Sequence, residues 1–187
     1  GLPFDRPSFF RTTAGMAVGE IVGPYFPGLG GEEIARLGEA KEALYRESYR
    51  AHVAPLPGLL PLMARARSFG VPMAVASAAP PANIALVLDT IGLRAEFATV
   101  ISPSQGFRGK PHPDMFVEAA RRMGVAPETC LVFEDAPNGI EAARRAGMRA
   151  VAMLTMLGAE GFSAYDNVVA RAADFNALDR LPALRFG

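Results

Sequence analysis

The chain has 187 residues, half of them hydrophobic, and its 19 Lys and Arg balance 19 Asp and Glu. That length accommodates one α/β domain plus a small helical region. The zero net charge excludes a broad nucleic-acid surface, which needs a positive excess to neutralise phosphates.

Residues 1 to 54 are predicted to be helical, with short helices over Ser8–Thr13 and Ala17–Tyr25 and a long one over Glu32–His52. The long one carries Leu37, Leu44 and Tyr45 on one side and charged residues elsewhere. The stretch Val53-Ala54-Pro55-Leu56-Pro57-Gly58 breaks that helix, because two prolines exclude its continuation. After this hinge, helices and short apolar strands alternate. Helices are expected over Leu59–Phe69, Pro81–Ile91, Asp114–Met123 and Gly139–Ala146. Strands are expected over Pro72–Ala76, Thr99–Ile101, Cys130–Phe133, Arg149–Met153 and Asn167–Ala170, with a terminal helix over Asn176–Leu184. This alternation implies a doubly wound, mostly parallel α/β sheet of Rossmann-like type. The domain boundary is set at residue 54, with a helical region before it and the α/β core over 55–187. Cys130 is the only cysteine, so no internal disulfide forms, which fits a reducing cytoplasm. No apolar run approaches the ~20 residues that span a bilayer. No basic stretch followed by an apolar core marks a signal peptide.

Ligands of doubly wound sheets bind beyond the carboxyl ends of the strands. Three groups are expected there. Ser77 ends an apolar run and could bond a phosphate oxygen, helped by the Ala78 backbone near the next helix; it could equally cap that helix. Lys110 stands in Gly109-Lys110-Pro111-His112-Pro113, where the prolines restrain a cation that could neutralise phosphate. Glu134 and Asp135 follow the Cys130–Phe133 run. They suit Mg²⁺, which takes one or two carboxylates plus water and phosphate. The competing reading of Asp135 is a helix cap. Asn138 and Gly139 are read as turn and helix-start residues.

Taken together, Ser77, Lys110-Pro111 and the run Glu134-Asp135-Ala136-Pro137-Asn138-Gly139 resemble the haloacid dehalogenase-like hydrolase superfamily, in its phosphatase and β-phosphoglucomutase-like branch. The resemblance covers essentially the whole chain. It implies catalytic and phosphate-binding roles for Ser77 and Lys110, a phosphate contact at Ala78, and Mg²⁺ held by Asp135 and Glu134. It also implies that residues 1 to 54 are a helical cap whose loop, with Thr13, Gly15 and Met16, faces the substrate. The partner is expected to be a small phosphorylated metabolite, with no nucleic acid and no membrane, and the protein a monomer or homodimer.

The family's first motif is an apolar strand ending D-x-D-x-T, whose first aspartate takes the phosphoryl group. No D-x-D occurs in the sequence. In the family fold that strand lies between the Ser77 and Cys130 strands. The nucleophile is therefore expected in a segment upstream, and the chain as given is expected to be inactive. Otherwise the sheet is rearranged or another chain supplies the strand. The leading expectation is a Mg²⁺-dependent phosphatase acting through an aspartyl-phosphate. The alternatives are a catalytically inactive binding relative and a phosphomutase. The mutase is less favoured because residues 12–18 carry no basic side chain to grip a second phosphate.

Overall fold

The computed structural model describes residues 5, 21 and 23–178, to which every statement of structure refers. Helix α1 runs Gly31–Tyr49 and opens with Glu33 reaching back to accept the Gly30 N–H at 3.0 Å, so one exposed terminal donor is satisfied. It continues as a 3-10 turn over Arg50–His52, and the proline-containing stretch after it has no helix until α2, Leu59–Ser68. The break therefore falls where the two prolines put it. The helices expected over Ser8–Thr13 and Ala17–Tyr25 lie largely outside the described residues; Gly23–Tyr25 forms a 3-10 turn. The cap-loop residues Thr13, Gly15 and Met16 also lie outside them.

The remaining elements alternate as expected: β1 Ala74–Ala76, α3 Pro81–Thr90, β2 Thr99–Ile101, α4 Asp114–Met123, β3 Leu131–Glu134, α5 Pro137–Arg145, β4 Arg149–Met153 and β5 Val168–Ala172. Helix α4 stops at Gly124, whose φ of 69° is left-handed and costs glycine nothing. Several boundaries shift by one to three residues, and two of the shifts bear on the site. Glu134 is the last residue of β3 and not the first of the loop. Helix α5 starts at Pro137, which suits N1 because its missing N–H would be unpaired there anyway. Asn138 consequently stands in the first helical turn, not in a turn before it. The terminal helix is a 3-10 turn over Asn176–Leu178 within the described residues.

All the strand pairings are parallel, and they form two sheets, β1-β2 and β3-β4-β5. Strand β4 is buried on both faces and reads as a continuous apolar run, as the centre of a parallel sheet should. Its residues alternate. Ala150 and Ala152 face Ile140, Ala142 and Ala143 of α5, while Val151 and Met153 face Phe175 and Leu178. Alanines on both helix and strand let α5 approach the sheet closely. Helix α4 bridges the two sheets: Met115 and Ala119 pack with Ile101 of β2, and Phe116 and Ala120 pack with Val132 of β3. Among the described residues no helix is long and apolar enough to cross a membrane.

Candidate active site

The geometry is built around β3. Its last residue, Glu134, points its carboxylate back over the start of α5. Oε1 accepts the backbone N–H groups of Ala136 at 3.1 Å and Asp135 at 3.3 Å. Oε2 accepts Lys110 Nζ at 2.6 Å. The two side chains are only 8% and 9% exposed, so this is a buried ion pair with its acceptor oxygens satisfied. Buried charges persist when paired and hydrogen-bonded in this way. Lys110 also sits 5.0 Å from the ring centre of Phe116, on the first turn of α4, which places a cation over an aromatic face. Thus the loop after β2 and the end of β3, 24 residues apart in sequence, meet at one point.

Gly139 makes this possible. It faces Glu134 from α5, and a Cβ there would overlap the Glu134 carboxylate. The sequence reading gave Gly139 a role in the turn and helix start; what it does here is leave room for the carboxylate. Asp135, half-buried beside the pair, accepts Thr155 Oγ1 at 2.9 Å through Oδ2. Thr155 was missed from the sequence. The signal was a hydroxyl shortly beyond the carboxyl end of β4, the strand paired with β3. Phe116 was given no role from the sequence.

Ser77 follows β1 directly. Its N–H donates to Ile101 O at 3.0 Å, and its hydroxyl accepts the Ala79 N–H at 3.1 Å. Ser77 therefore orders its own turn; it does not cap α3 as the competing reading had it, since Pro80 holds that position with no side-chain cap bond. Ala78 lies within that turn. The structure joins Lys110 to Glu134 and sets Asp135 alongside; among the described hydrogen bonds, none links Ser77 to this group. No cluster of three or more His, Cys, Asp and Glu side chains occurs among the described residues. The donor set still fits a hard cation of Mg²⁺ type, which needs only one or two carboxylates and completes its shell with water and phosphate.

The chain is similar to known proteins over most of its length. A family model described as haloacid dehalogenase-like hydrolase matches residues 12–147. The chain is 48% identical over 80 residues to the fructose-1-phosphate phosphatase YqaB of Escherichia coli, covering 43% of each chain. It is 33% identical over 155 residues to the protein CbbY of Rhodobacter capsulatus, covering 79% of this chain and 67% of that one. A solved hydrolase of the same superfamily from Entamoeba histolytica superposes with a TM-score of 0.86 at 21% identity, over 98% of this chain and 84% of the other. The chain spans about half the length of several of the curated relatives it matches. Because the family model covers well over half of the chain, and includes both the lysine loop and the acidic pair, the chain belongs to the haloacid dehalogenase-like hydrolases.

Proposed function

We propose that this chain belongs to a phosphatase acting on a small phosphorylated metabolite, with a sugar phosphate as the leading class. The observation that carries the reading is the buried Lys110–Glu134 pair with Asp135 beside it. A cation fixed at the carboxyl end of a parallel sheet suits phosphate, and an adjacent half-buried carboxylate suits the divalent ion that accompanies it. The named activity of the Escherichia coli relative points the same way.

In this reading Lys110 neutralises the phosphoryl oxygens, held in place by Glu134 and the ring of Phe116. Asp135, oriented by Thr155, would hold Mg²⁺, with Glu134 in support. When bound, the cation would offset charge developing on the phosphate. Ser77 and the turn through Ala78 would supply further donors to phosphate once substrate competes for the hydroxyl. The helical region up to residue 54 would act as the cap, with Thr13, Gly15 and Met16 toward the substrate. Covalent catalysis through an aspartate needs a nucleophile that none of these residues provides. It is assigned to a segment outside the described residues.

The test uses the 187-residue chain. It is expected to bind inorganic phosphate in the presence of Mg²⁺ by calorimetry, and to show no turnover of sugar phosphates. Replacing the pair together, Lys110→Met with Glu134→Gln, avoids an unpaired buried charge and should abolish phosphate binding while the protein stays folded. Binding unchanged in that variant would remove Lys110 from the site. Clear Mg²⁺-dependent turnover by the chain, lost in Asp135→Asn, would show that the nucleophile lies within it.

A further inference from the structure

The loop that presents Lys110 is tied shut by a second ion pair. Asp114, the first residue of α4, accepts Arg108 Nε at 2.9 Å and Nη2 at 2.8 Å, one on each carboxylate oxygen. The Arg108 backbone N–H also reaches Oδ2 at 3.4 Å. One carboxylate thus holds both the side chain and the main chain of a residue six positions away. A planar fork on a carboxylate fixes orientation as well as distance. Lys110 lies inside the stretch that this contact closes.

Little else holds that stretch. Among the described residues, 107–112 share one backbone–backbone bond, from the His112 N–H to Gly109 O at 3.0 Å. Pro111 and Pro113 fix their own φ but have no N–H to donate. Before the loop, Phe107 packs against Ile101, Met115 and Ala119; after it, Phe116 packs in the core. Between these anchors, the ammonium of a flexible four-carbon side chain is kept buried against Glu134. Arg108 itself is 64% exposed, and a pair that open to water contributes little to overall stability. Its effect is therefore local, on the shape of the loop between its two ends.

We propose that Arg108 and Asp114 are positioning residues for Lys110. Glu134 and the Phe116 ring set what the ammonium touches; the Arg108–Asp114 clasp sets where its backbone stands. Losing either end lets the loop move and withdraws the ammonium from Glu134. The value of this to phosphate rests on the phosphatase reading, whereas the clasp itself rests on the loop geometry alone.

Position and charge make opposite demands. By charge alone, removing the Arg108 cation would favour the protonated Lys110 amine, making it less reactive, and would weaken phosphate binding. Removing the Asp114 anion would do the reverse in both respects. Loosening the loop makes Lys110 more reactive and phosphate binding weaker in both variants.

Lys41 and Lys110 are the only lysines, so Lys41, 58% exposed, is an internal reference for amine labelling. The 187-residue chain is treated with trace acetic anhydride, and the Lys110-to-Lys41 labelling ratio is read by mass spectrometry. In the parent chain Lys110 should label far more slowly than Lys41. Arg108→Gln and Asp114→Asn should each raise the ratio by about tenfold. The double variant should raise it no further, because either change opens the same contact. Arg121→Gln, which cuts another exposed pair on α4, should leave the ratio unchanged. Urea midpoints of all the variants should stay at the parent value. Binding of inorganic phosphate with Mg²⁺ should weaken by about threefold or more in both single variants. Equal labelling of the two lysines in the parent overturns the proposal, as does an unchanged ratio in both variants or shifts of opposite sign. A rise matched by a loss of global stability overturns it too. A ratio raised in both variants with phosphate affinity unchanged upholds the clasp and removes Lys110 from the phosphate site. The labelling needs neither phosphate nor turnover, so the phosphatase reading can fail separately.

Discussion

At the scale of single residues, the site depends on one absent atom group. Alanine is a better helix former than glycine by about 1 kcal/mol, so Gly139→Ala would stabilise α5 if the position were open. Here the new Cβ meets the Glu134 carboxylate. Glu134 would have to leave Lys110 and two backbone N–H groups, exposing a buried cation without its partner. Breaking a buried pair costs about 3–5 kcal/mol. The expected outcome is that Gly139→Ala is destabilising by urea denaturation, while in a Glu134→Ala background the same change is neutral or stabilising. Equal effects in both backgrounds would show that Glu134 yields without cost.

At the scale of elements, two helices carry the same clamp. Glu118 on α4 bonds Arg121 and Arg122, and Glu141 on α5 bonds Arg144 and Arg145, all at 2.6–2.8 Å. The guanidinium bonds, from Arg121 then Arg122 and from Arg144 then Arg145, lower each carboxyl from 4.5 to about 2. A depressed carboxyl contributes stability that is complete above the unfolded value and fades as pH falls toward the folded one. The clamps should therefore hold at pH 5 and be lost between about pH 4.5 and 2. A carbon-detected NMR titration should show Glu118 and Glu141 still ionised at pH 3, and Arg121→Gln with Arg122→Gln should return Glu118 to the ordinary range. Another element-scale contact fastens α1 to α3. Asn83 donates to Glu42 at 2.5 Å and accepts from Arg46 at 3.0 Å, with Glu42 and Asn83 only 5% and 6% exposed. Asn83→Leu leaves a buried carboxylate short of a donor, a loss of about 1–3 kcal/mol or more for a charged group. Limited proteolysis within residues 53–58 should quicken in that variant, because the linker is the only covalent connection between α1 and α2. An unchanged cleavage rate would mean that the apolar contacts around α1 hold it alone.

At the scale of the molecule, the elements after residue 58 were legible because each obeys a local rule. Gly124 ends α4, Pro137 opens α5, and short apolar runs between them can only be buried strands. Three of the chemistry-bearing residues, Lys110, Glu134 and Asp135, could be named from their positions after strands. The contact between Lys110 and Glu134 could not, since it depends on how β2, α4 and β3 stack across 24 residues. Nor could the Glu42–Asn83 bond, which spans 41 residues. A lone Asn at the start of a helix reads as a cap, and a Glu on a charged helix reads as solvated. The room left by Gly139 was invisible for the same reason, and Thr155, though its place beyond β4 was a signal, gains its meaning only against a neighbour from another strand.

The turn at Gly58 has its own consequence. Its φ of 81° is left-handed, and a Cβ there would run into the backbone of Phe175 and Asn176. Beside it, the Phe175 N–H donates to Pro57 O at 2.9 Å. The place where the α/β unit begins is thus bonded to a residue close to the last of the described ones. Such a unit is nearly a ring. A short peptide bridging residue 178 to residue 57 would close it, and the chain could then be reopened at an exposed loop, such as the one between α4 and β3, without separating any paired strands. Order along the gene and order in space are uncoupled at this seam. A circularly permuted form, starting at β3 and ending with α4, should retain the parallel pairings of β3, β4 and β5.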